Sequence, residues 1–294
     1  MPKPAFHITH PEKQLYPEAG LTKADVAAYV QRAAPLMWPY VKERLVSLVR
    51  CPEGVGHGSF FQRHPAAGFG KGWGEQDYES AGGKMERYIY AARQAALLEA
   101  VQMNTLEFHL WGSRRDKPDV PDRVVFDLDP DTELTFAEVK TAALRLRDVL
   151  NALGLISQPM LTGGKGIHLV IPLHREHEFA VVKRFCGDVA QRLADDAPER
   201  FTATMSKAKR QGRVFIDYFR NEAGATAIAP YSPRARASAG VAWPCRWEEL
   251  GQYDAADAMT IPRAMQALEN AVDPWAGAKP QTLSATVLRA AAQD

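Results

Sequence analysis

The chain has 294 residues, 46% of them hydrophobic and 24% charged, with a formal net charge of +1, so it can bury a large core in one big domain or two closely packed halves. No run approaches the ~20 apolar residues of a membrane span, and Met1-Pro2-Lys3-Pro4 leads into no signal-peptide core, which points to a cytoplasmic protein with no membrane partner. Cys51, Cys186 and Cys245 are widely spaced and offer neither a disulfide framework nor zinc-ligand spacing; they read as buried small apolar groups.

Ile8 to Lys23 is rich in Pro and Gly and reads mostly as turn. Thr22 followed by Asp25 resembles a capping box and predicts a helix through Val26, Tyr29 and Val30 toward Pro35. Lys13 and Lys23 then flank an irregular segment near a helix N-terminus, a reasonable place for a phosphate. Two exposed lysines with no ligand fit the same pattern. Arg44 to Arg50 reads as a strand. Gly54 to Gly74 holds seven glycines in 21 residues and also carries Phe60, Phe61, Phe69 and Trp73, which predicts a long loop. Adjacent Phe60 and Phe61, followed by Gln62-Arg63-His64, suit stacking on unpaired bases; anchoring the loop to the core suits them equally. Arg87 to Tyr90 is a short strand, Gln94 to Met103 a helix, and Thr105 to Trp111 a strand that puts His109 on one face with Glu107. A single histidine there is most often structural.

Arg123 to Asp129 is a strand, and its alternation puts Val124, Phe126 and Leu128 on one face and Asp127 and Asp129 on the other. Thr135 with Glu138 caps a helix that runs to Leu153 and stops at Gly154. Leu155 to Leu161 is a second strand, Thr162-Gly163-Gly164-Lys165-Gly166 a tight turn, and Ile167 to Ile171 a third strand. Phe179, Val182, Phe185, Val189 and Leu193 mark one face of a second helix. Arg213 to Phe219 is a fourth strand. This is a βαββαβ order, the ferredoxin-like pattern shared with RNA-recognition modules. With the first strand between the third and fourth, the apolar sets Val124/Phe126/Leu128, Ile167/Leu169/Ile171 and Val214/Ile216/Tyr218 face the helices. Asp127, Asp129, His168 and Asp217 then converge on the open face.

Like charges sharing one small surface raise a pKa or cost stability, and a divalent cation relieves both. Three aspartates suit Mg²⁺ or Mn²⁺, and two such ions about 3.5 to 4 Å apart can stabilise both oxygens of an in-line phosphoryl displacement. The Gly163-Gly164-Lys165-Gly166 turn offers N–H groups and an ammonium to phosphate, without the spacing of a P-loop. Phe201 to Arg246 holds eight basic and two acidic residues, against seven acidic and two basic in Asp116 to Glu133. Arg210, Arg220 and Arg234 are the candidates for triphosphate contacts, because guanidinium binds phosphate oxygens in pairs. A metal-dependent nuclease or phosphodiesterase uses such a carboxylate site too. A non-catalytic nucleic-acid module would instead carry aromatics on the open face.

Asp127-Leu128-Asp129-Pro130, Thr162-Gly163-Gly164-Lys165-Gly166-Ile167-His168 and Val214-Phe215-Ile216-Asp217-Tyr218 resemble, in order and spacing, the three motifs of archaeo-eukaryotic primase-like polymerases. Lys13-Gln14-Leu15-Tyr16-Pro17 with Thr22-Lys23, Phe60-Phe61-Gln62 and Ala229-Pro230-Tyr231-Ser232 look like the polymerase domain of bacterial ligase D, from about Ile8 to Leu250. The resemblance implies a mixed α/β primase-polymerase fold, with an N-terminal α/β half over 1–115 and an RNA-recognition-like catalytic half over 116–250. A C-terminal helical segment over 251–275 and a tail or linker over 276–294 complete the expected layout. It implies a template-directed nucleotidyltransferase that extends DNA 3′ ends in gap filling and break repair, favours NTP over dNTP and uses two Mn²⁺ or Mg²⁺ ions. Asp127, Asp129 and Asp217 would be the catalytic metal ligands. His109, Thr162, Lys165, His168, Arg210, Arg220 and Arg234 would hold the nucleotide. Phe60 and Phe61 would stack at the template, and Lys13 and Lys23 would bind a downstream 5′-phosphate. Thr162 stands where a serine is common and keeps its hydroxyl; His10 stands where an asparagine often joins the lysines. Implied partners are 5′-phosphorylated gapped or broken DNA, Ku, and ligase or phosphoesterase domains of a larger polypeptide. The implied setting is the bacterial cytoplasm, at the nucleoid during repair.

Overall fold

The computed structural model describes residues 7–292 apart from 81 and 270. The chain forms two units. The first comprises the chain up to Leu110 together with Ile228–Ala242 and Met259–Ala271; the second comprises Trp111–Ala227, Trp243–Ala258 and the chain from Val272. The division thus falls a few residues before 115, and the segment expected as one C-terminal helical piece is shared between the units. Among the described residues no helix is long and apolar enough to cross a membrane.

In the first unit β1 (Gln14–Tyr16) pairs antiparallel with β2 (Leu21–Thr22), and α1 (Lys23–Val41) follows at once. Thr22 accepts the Asp25 N–H while the Asp25 carboxylate accepts the Thr22 N–H, a reciprocal cap. The helix does not end near Pro35. It passes through Pro35 and Pro39 to Val41. A proline inside a helix costs ~3 kcal/mol through a lost hydrogen bond and a crowded carbonyl. Full burial of each large apolar side chain contributes ~1.5–3 kcal/mol, and Tyr29, Met37 and Val41 are all fully buried, so packing outweighs the prolines. Next come β3 (Val46–Arg50), β4 (Phe60–Gln62), β5 (Trp73–Glu79), β6 (Met85–Ala91), α2 (Ala96–Gln102) and β7 (Thr105–Trp111). Phe60 and Phe61, expected in an irregular loop, lie on β4, paired with Arg50 and Val49 of β3. The ladder fixes which way each ring points.

The second unit opens with the short ladder of β8 (Ser113–Arg114) and β9 (Lys117–Pro121). Then follow β10 (Arg123–Pro130), α3 (Phe136–Ala152), β11 (Gln158–Leu161), β12 (Ile167–Pro172), α4 (Phe179–Asp196), β13 (Phe201–Thr202) and β14 (Val214–Asp217). β15 (Thr226–Ile228) joins the order β15-β7-β3-β4, and β16 (Trp243–Pro244) completes a six-stranded sheet of order β13-β14-β10-β12-β11-β16. β10 therefore lies between β12 and β14, as the ferredoxin-like order requires, with both neighbours antiparallel. Val124, Phe126, Leu128, Ile167, Leu169, Ile171 and Ile216 are all fully buried. They face the apolar sides of α3 (Val139, Leu146, Leu150) and α4 (Val182, Phe185, Val189, Leu193), and this burial leaves the other parity of each strand for chemistry.

Two expectations change here. The fourth strand ends at Asp217 rather than Phe219, and Phe219–Asn221 forms a 3₁₀ turn. The segment expected as a tail or linker carries ordered contacts over its described residues, 276–292. After α5 (Ile261–Ala267), Gln281 pairs with β12's end by donating to Pro172 O and accepting from His174 N, both at 2.9 Å. The Gln281 side chain also bonds the backbone of Ile156 (2.7 and 2.8 Å), Leu283 is buried, and α6 (Ala285–Ala291) packs on α4. Satisfied backbone and a buried leucine tie this segment down.

Candidate active site

The register of β10 sets the centre of the site. Asp127 stands opposite His168 of β12 on one side and Asp217 of β14 on the other, so strand pairing alone brings these three side chains into one row. Asp129 lies two residues along the same face. Asp217 Oδ1 accepts the N–H of Phe219 at 2.9 Å, a local turn that ends β14. The chain then bends so that Arg220 reaches back: its Nε and one Nη lie 3.2 and 3.1 Å from Asp127 Oδ2, and Nε lies 3.2 Å from Asp217 Oδ2. One guanidinium bridges two carboxylates. Arg210 donates to Met205 O (2.9 Å), lies 3.7 Å over the Phe215 ring and points one Nη at Asp129 Oδ2, 3.5 Å away.

The electrostatics follow from these neighbours. Burial pushes the Asp127 carboxyl up, but the His168 ring 3.4 Å away and Arg220 hold it well below the usual carboxylate range. Burial raises Asp217, Arg220 opposes it, and the charge of Asp127 raises it further. Asp129 is also raised, by partial burial and by Asp127, against the pull of Arg210, Arg220 and Lys165. Negative charge is thus only partly compensated at the outer two carboxylates. Among the described residues no three His, Cys, Asp or Glu side chains converge on a single point as a ready metal cage. Arg220 stands between two of the carboxylates, and Asp129 turns to Arg210. The donor set, hard carboxylate oxygens under partly relieved repulsion, nevertheless fits a divalent cation.

The turn after β11 is closed by its own threonine. The Thr162 hydroxyl donates to Gly166 O at 3.0 Å and accepts from Gly166 N at 3.2 Å, and Gly163 N donates to Ala256 O. A nucleotide contact from this hydroxyl would have to share those bonds. Gly166 admits no side chain, since a Cβ there would lie 2.1 Å from Leu128 O. That close approach holds the exposed Lys165 beside the carboxylate strand. His168 is buried.

The first unit carries its own polar cluster. Glu107 Oε1 accepts from Arg234 Nε (3.1 Å) and Ala235 N (2.8 Å), and Oε2 lies 2.6 Å from His109 Nε2. Burial would raise this carboxyl, but the bonds from His109 and Arg234 bring it down to about 2. The Phe61 ring sits edge-on to His109, with centroids 5.7 Å apart, and Arg50 covers the Phe60 ring. Phe61 is 62% exposed, so a large apolar ring remains open to solvent beside the cluster. Lys13 pairs with Glu53 at 3.3 Å, whereas Lys23 is buried and donates to Gln102 O at 2.7 Å. The N–H groups of Lys23 and Ala24 go to Lys13 O and Pro11 O, so the start of α1 is already capped and ammonium groups supply its positive charge.

Three residues to which the sequence assigns no site role complete the picture. Glu107 is one. Tyr16, whose hydroxyl donates to Arg234 O at 2.8 Å, is another, and it ties the Leu15-Tyr16-Pro17 segment to the loop that follows Pro230-Tyr231-Ser232. Asn221 is the third: its amide donates to Val125 O and accepts from Val125 N, both at 2.8 Å, continuing the ladder that β14 abandons.

A ferredoxin-like sheet with carboxylates, a histidine and guanidiniums on its open face defines the primase-polymerase class of nucleotidyltransferases, mixed α/β enzymes. The chain belongs to the family described as LigD, primase-polymerase domain, which its residues 22–275 match. It is 38% identical over 272 residues to the multifunctional non-homologous end joining protein LigD of Pseudomonas aeruginosa, covering 92% of this chain and 32% of that protein. It is 34% identical over 245 residues to the Mycolicibacterium smegmatis protein of the same name, covering 83% of this chain and 32% of that protein. The chain spans about a third of the length of these relatives. Among solved structures, the polymerase domain of Mycobacterium tuberculosis ligase D in complex with DNA superposes with a TM-score of 0.84 at 29% identity, covering 93% of this chain and 97% of that one.

Proposed function

We propose that this chain adds nucleotides, preferentially NTPs, to DNA 3′ ends during gap filling and double-strand-break end joining. In this reading Asp127, Asp129 and Asp217 hold two Mn²⁺ or Mg²⁺ ions, which would supply charge stabilisation to the transferring phosphate. Arg210, Arg220 and Lys165 bind phosphate oxygens, with His168 beside them. Arg220 offers a paired N–H face suited to phosphate, and its present partners are carboxylates of the same site. His109, Arg234 and the Thr162 turn complete the nucleotide contacts, Phe60 and Phe61 stack on template bases, and Lys13 and Lys23 bind the downstream 5′-phosphate. The relatives carry non-homologous end joining in their names, which supports that setting for the reaction, and the partners in this reading are Ku and ligase or phosphoesterase domains, in the bacterial cytoplasm.

The observation that carries the reading is the register that sets Asp127 between His168 and Asp217, with Arg220 across the two carboxylates. The test is extension of a 5′-labelled primer-template with NTP or dNTP, in Mn²⁺ or Mg²⁺. Primer growth that is faster with NTP is expected. Asp127→Ala and Asp217→Ala should each abolish addition while leaving DNA affinity within about twofold, because the lost groups face the metal and nucleotide rather than the duplex. Full activity in both variants, or a primer that shortens, would overturn the proposal.

A further inference from the structure

Glu107 lies in the middle of β7, between Leu106 and Phe108, which are fully buried on the other side of the strand; Glu107 itself is 7% exposed. A carboxylate in such a place is costly unless its lone pairs are taken. Three donors take them: Arg234 Nε, Ala235 N–H and His109 Nε2. An ionised carboxylate only accepts, so the proton in the 2.6 Å contact belongs to His109 Nε2, and the ring turns Nδ1 away from Glu107. The Nε bond fixes the plane of the Arg234 guanidinium from one side. From the other, the backbone of Arg234 is held by the Tyr16 hydroxyl on its carbonyl and by Gly240 O on its N–H, each at 2.8 Å. The loop before it is equally constrained. Tyr231 adopts φ +66, its carbonyl accepts from Tyr29 OH at 2.8 Å, and the Ser232 hydroxyl accepts from Phe108 N at 2.9 Å.

We propose that Glu107 is a positioning residue, which keeps the proton of His109 on Nε2 and aims Arg234, so that both groups are set before the incoming nucleotide arrives. The proposal rests on reading His109 and Arg234 as nucleotide contacts. The distinguishing variant is Glu107→Gln. Arg234 Nε and Ala235 N are both donors, so the glutamine must turn its oxygen to them and its NH₂ to His109. Nε2 must then accept, and the imidazole proton moves to Nδ1. Shape and volume are unchanged, while the tautomer inverts and Arg234 loses a charged partner.

The experiment labels the histidines of the full chain with ¹⁵N and reads the His109 ring nitrogens by long-range ¹H–¹⁵N correlation. In parallel, NTP KM and kcat are measured by primer extension for the wild type, Glu107→Gln, Glu107→Asp, His109→Ala and Arg234→Ala. Expected are a protonated Nε2 in the wild type, a protonated Nδ1 with bare Nε2 in Glu107→Gln, and a KM raised about tenfold with kcat changed by less than about twofold, the size of one lost charged hydrogen bond. A Glu107→Gln variant that keeps Nε2–H or has a wild-type KM overturns the proposal. If that variant does not fold, Glu107→Asp, which keeps the charge and shortens the reach by one methylene, decides by the same KM: a rise supports it and an unchanged value overturns it. Wild-type KM in both His109→Ala and Arg234→Ala removes the nucleotide reading and this proposal with it. A raised KM in those two beside a wild-type KM in Glu107→Gln removes the positioning role alone.

Discussion

Glu107, which is buried, and Asp127, which is half-buried, are both carboxylates kept charged by a histidine and an arginine, yet only Asp127 is legible as a site residue in the sequence. Asp127 announces itself because Asp129 follows at strand spacing and a proline ends the run. Glu107 shows in the sequence only the alternation that sets it on a face with His109: its other partner, Arg234, is 127 residues away, and only the folded loop brings the guanidinium to it. Its ionisation has a measurable consequence. The folded value of about 2 lies below an unfolded value of about 4.3, so Glu107 contributes stability that is complete above pH ~4.3 and fades as pH falls toward 2. The gap of ~2.3 units corresponds to a ceiling of about 3 kcal/mol at neutral pH. Urea midpoints of wild type and Glu107→Gln should therefore differ most at pH 6 to 7, and the difference should shrink steadily between pH 4 and pH 2.5. A constant difference over that range would assign the effect to packing rather than to charge.

Among the elements, β10 and β12 are readable because one face of each is wholly apolar, and a one-residue slip would turn Asp127 and Asp129 of β10, or His168 of β12, toward the helices. The end of β14 was not. Alternation extends the fourth strand to Phe219, but the Asp217 carboxylate captures the Phe219 N–H and turns the chain, a side-chain bond that no hydrophobic pattern reports. The same limit applied to α1, where prolines read as a stop and the burial of Met37 and Val41 carried the helix on. Where β14 stops, β10 would be left with an open N–H and C=O at Val125, and the Asn221 side chain supplies both partners. Asn221 also donates to Tyr218 O, which fixes the turn carrying Arg220 to the carboxylates. Asn221→Ala should thus strand two buried backbone groups and destabilise the protein by about 2–4 kcal/mol, read from denaturant unfolding. A loss below about 0.5 kcal/mol would show that the ladder closes without this amide.

At the scale of the molecule, the βαββαβ order is legible because its elements are long, contiguous and periodic, whereas the first unit takes in Ile228–Ala242 and Met259–Ala271, which alternate along the chain with stretches of the second, an exchange that linear reading does not reveal. One consequence is a division of labour that can be separated by mutation. The carboxylates belong to the second unit, and the candidate 5′-phosphate lysines to the first. Lys13 is the lysine to test. Lys23 is buried and bonded to Gln102 O, with its pKa lowered by burial and by the Lys13 charge, so its removal would disturb the start of α1 as well as any ligand. Lys13 instead bonds an exposed glutamate, a pair worth little to stability and readily exchanged for an anion. If the two lysines receive a terminal phosphate, wild type should prefer gapped DNA with a downstream 5′-phosphate over the hydroxyl form by about tenfold, as one charged contact allows. Lys13→Ala should bring that ratio close to one and reduce the slope of log affinity on log salt by about one. On a primer-template with no downstream strand, nucleotide addition by Lys13→Ala should match wild type, because no terminal phosphate is present to be recognised. A preference that survives in Lys13→Ala would place phosphate recognition elsewhere in the chain. A loss of extension on the simple primer-template would mean that Lys13 acts on the backbone of the duplex rather than on its end.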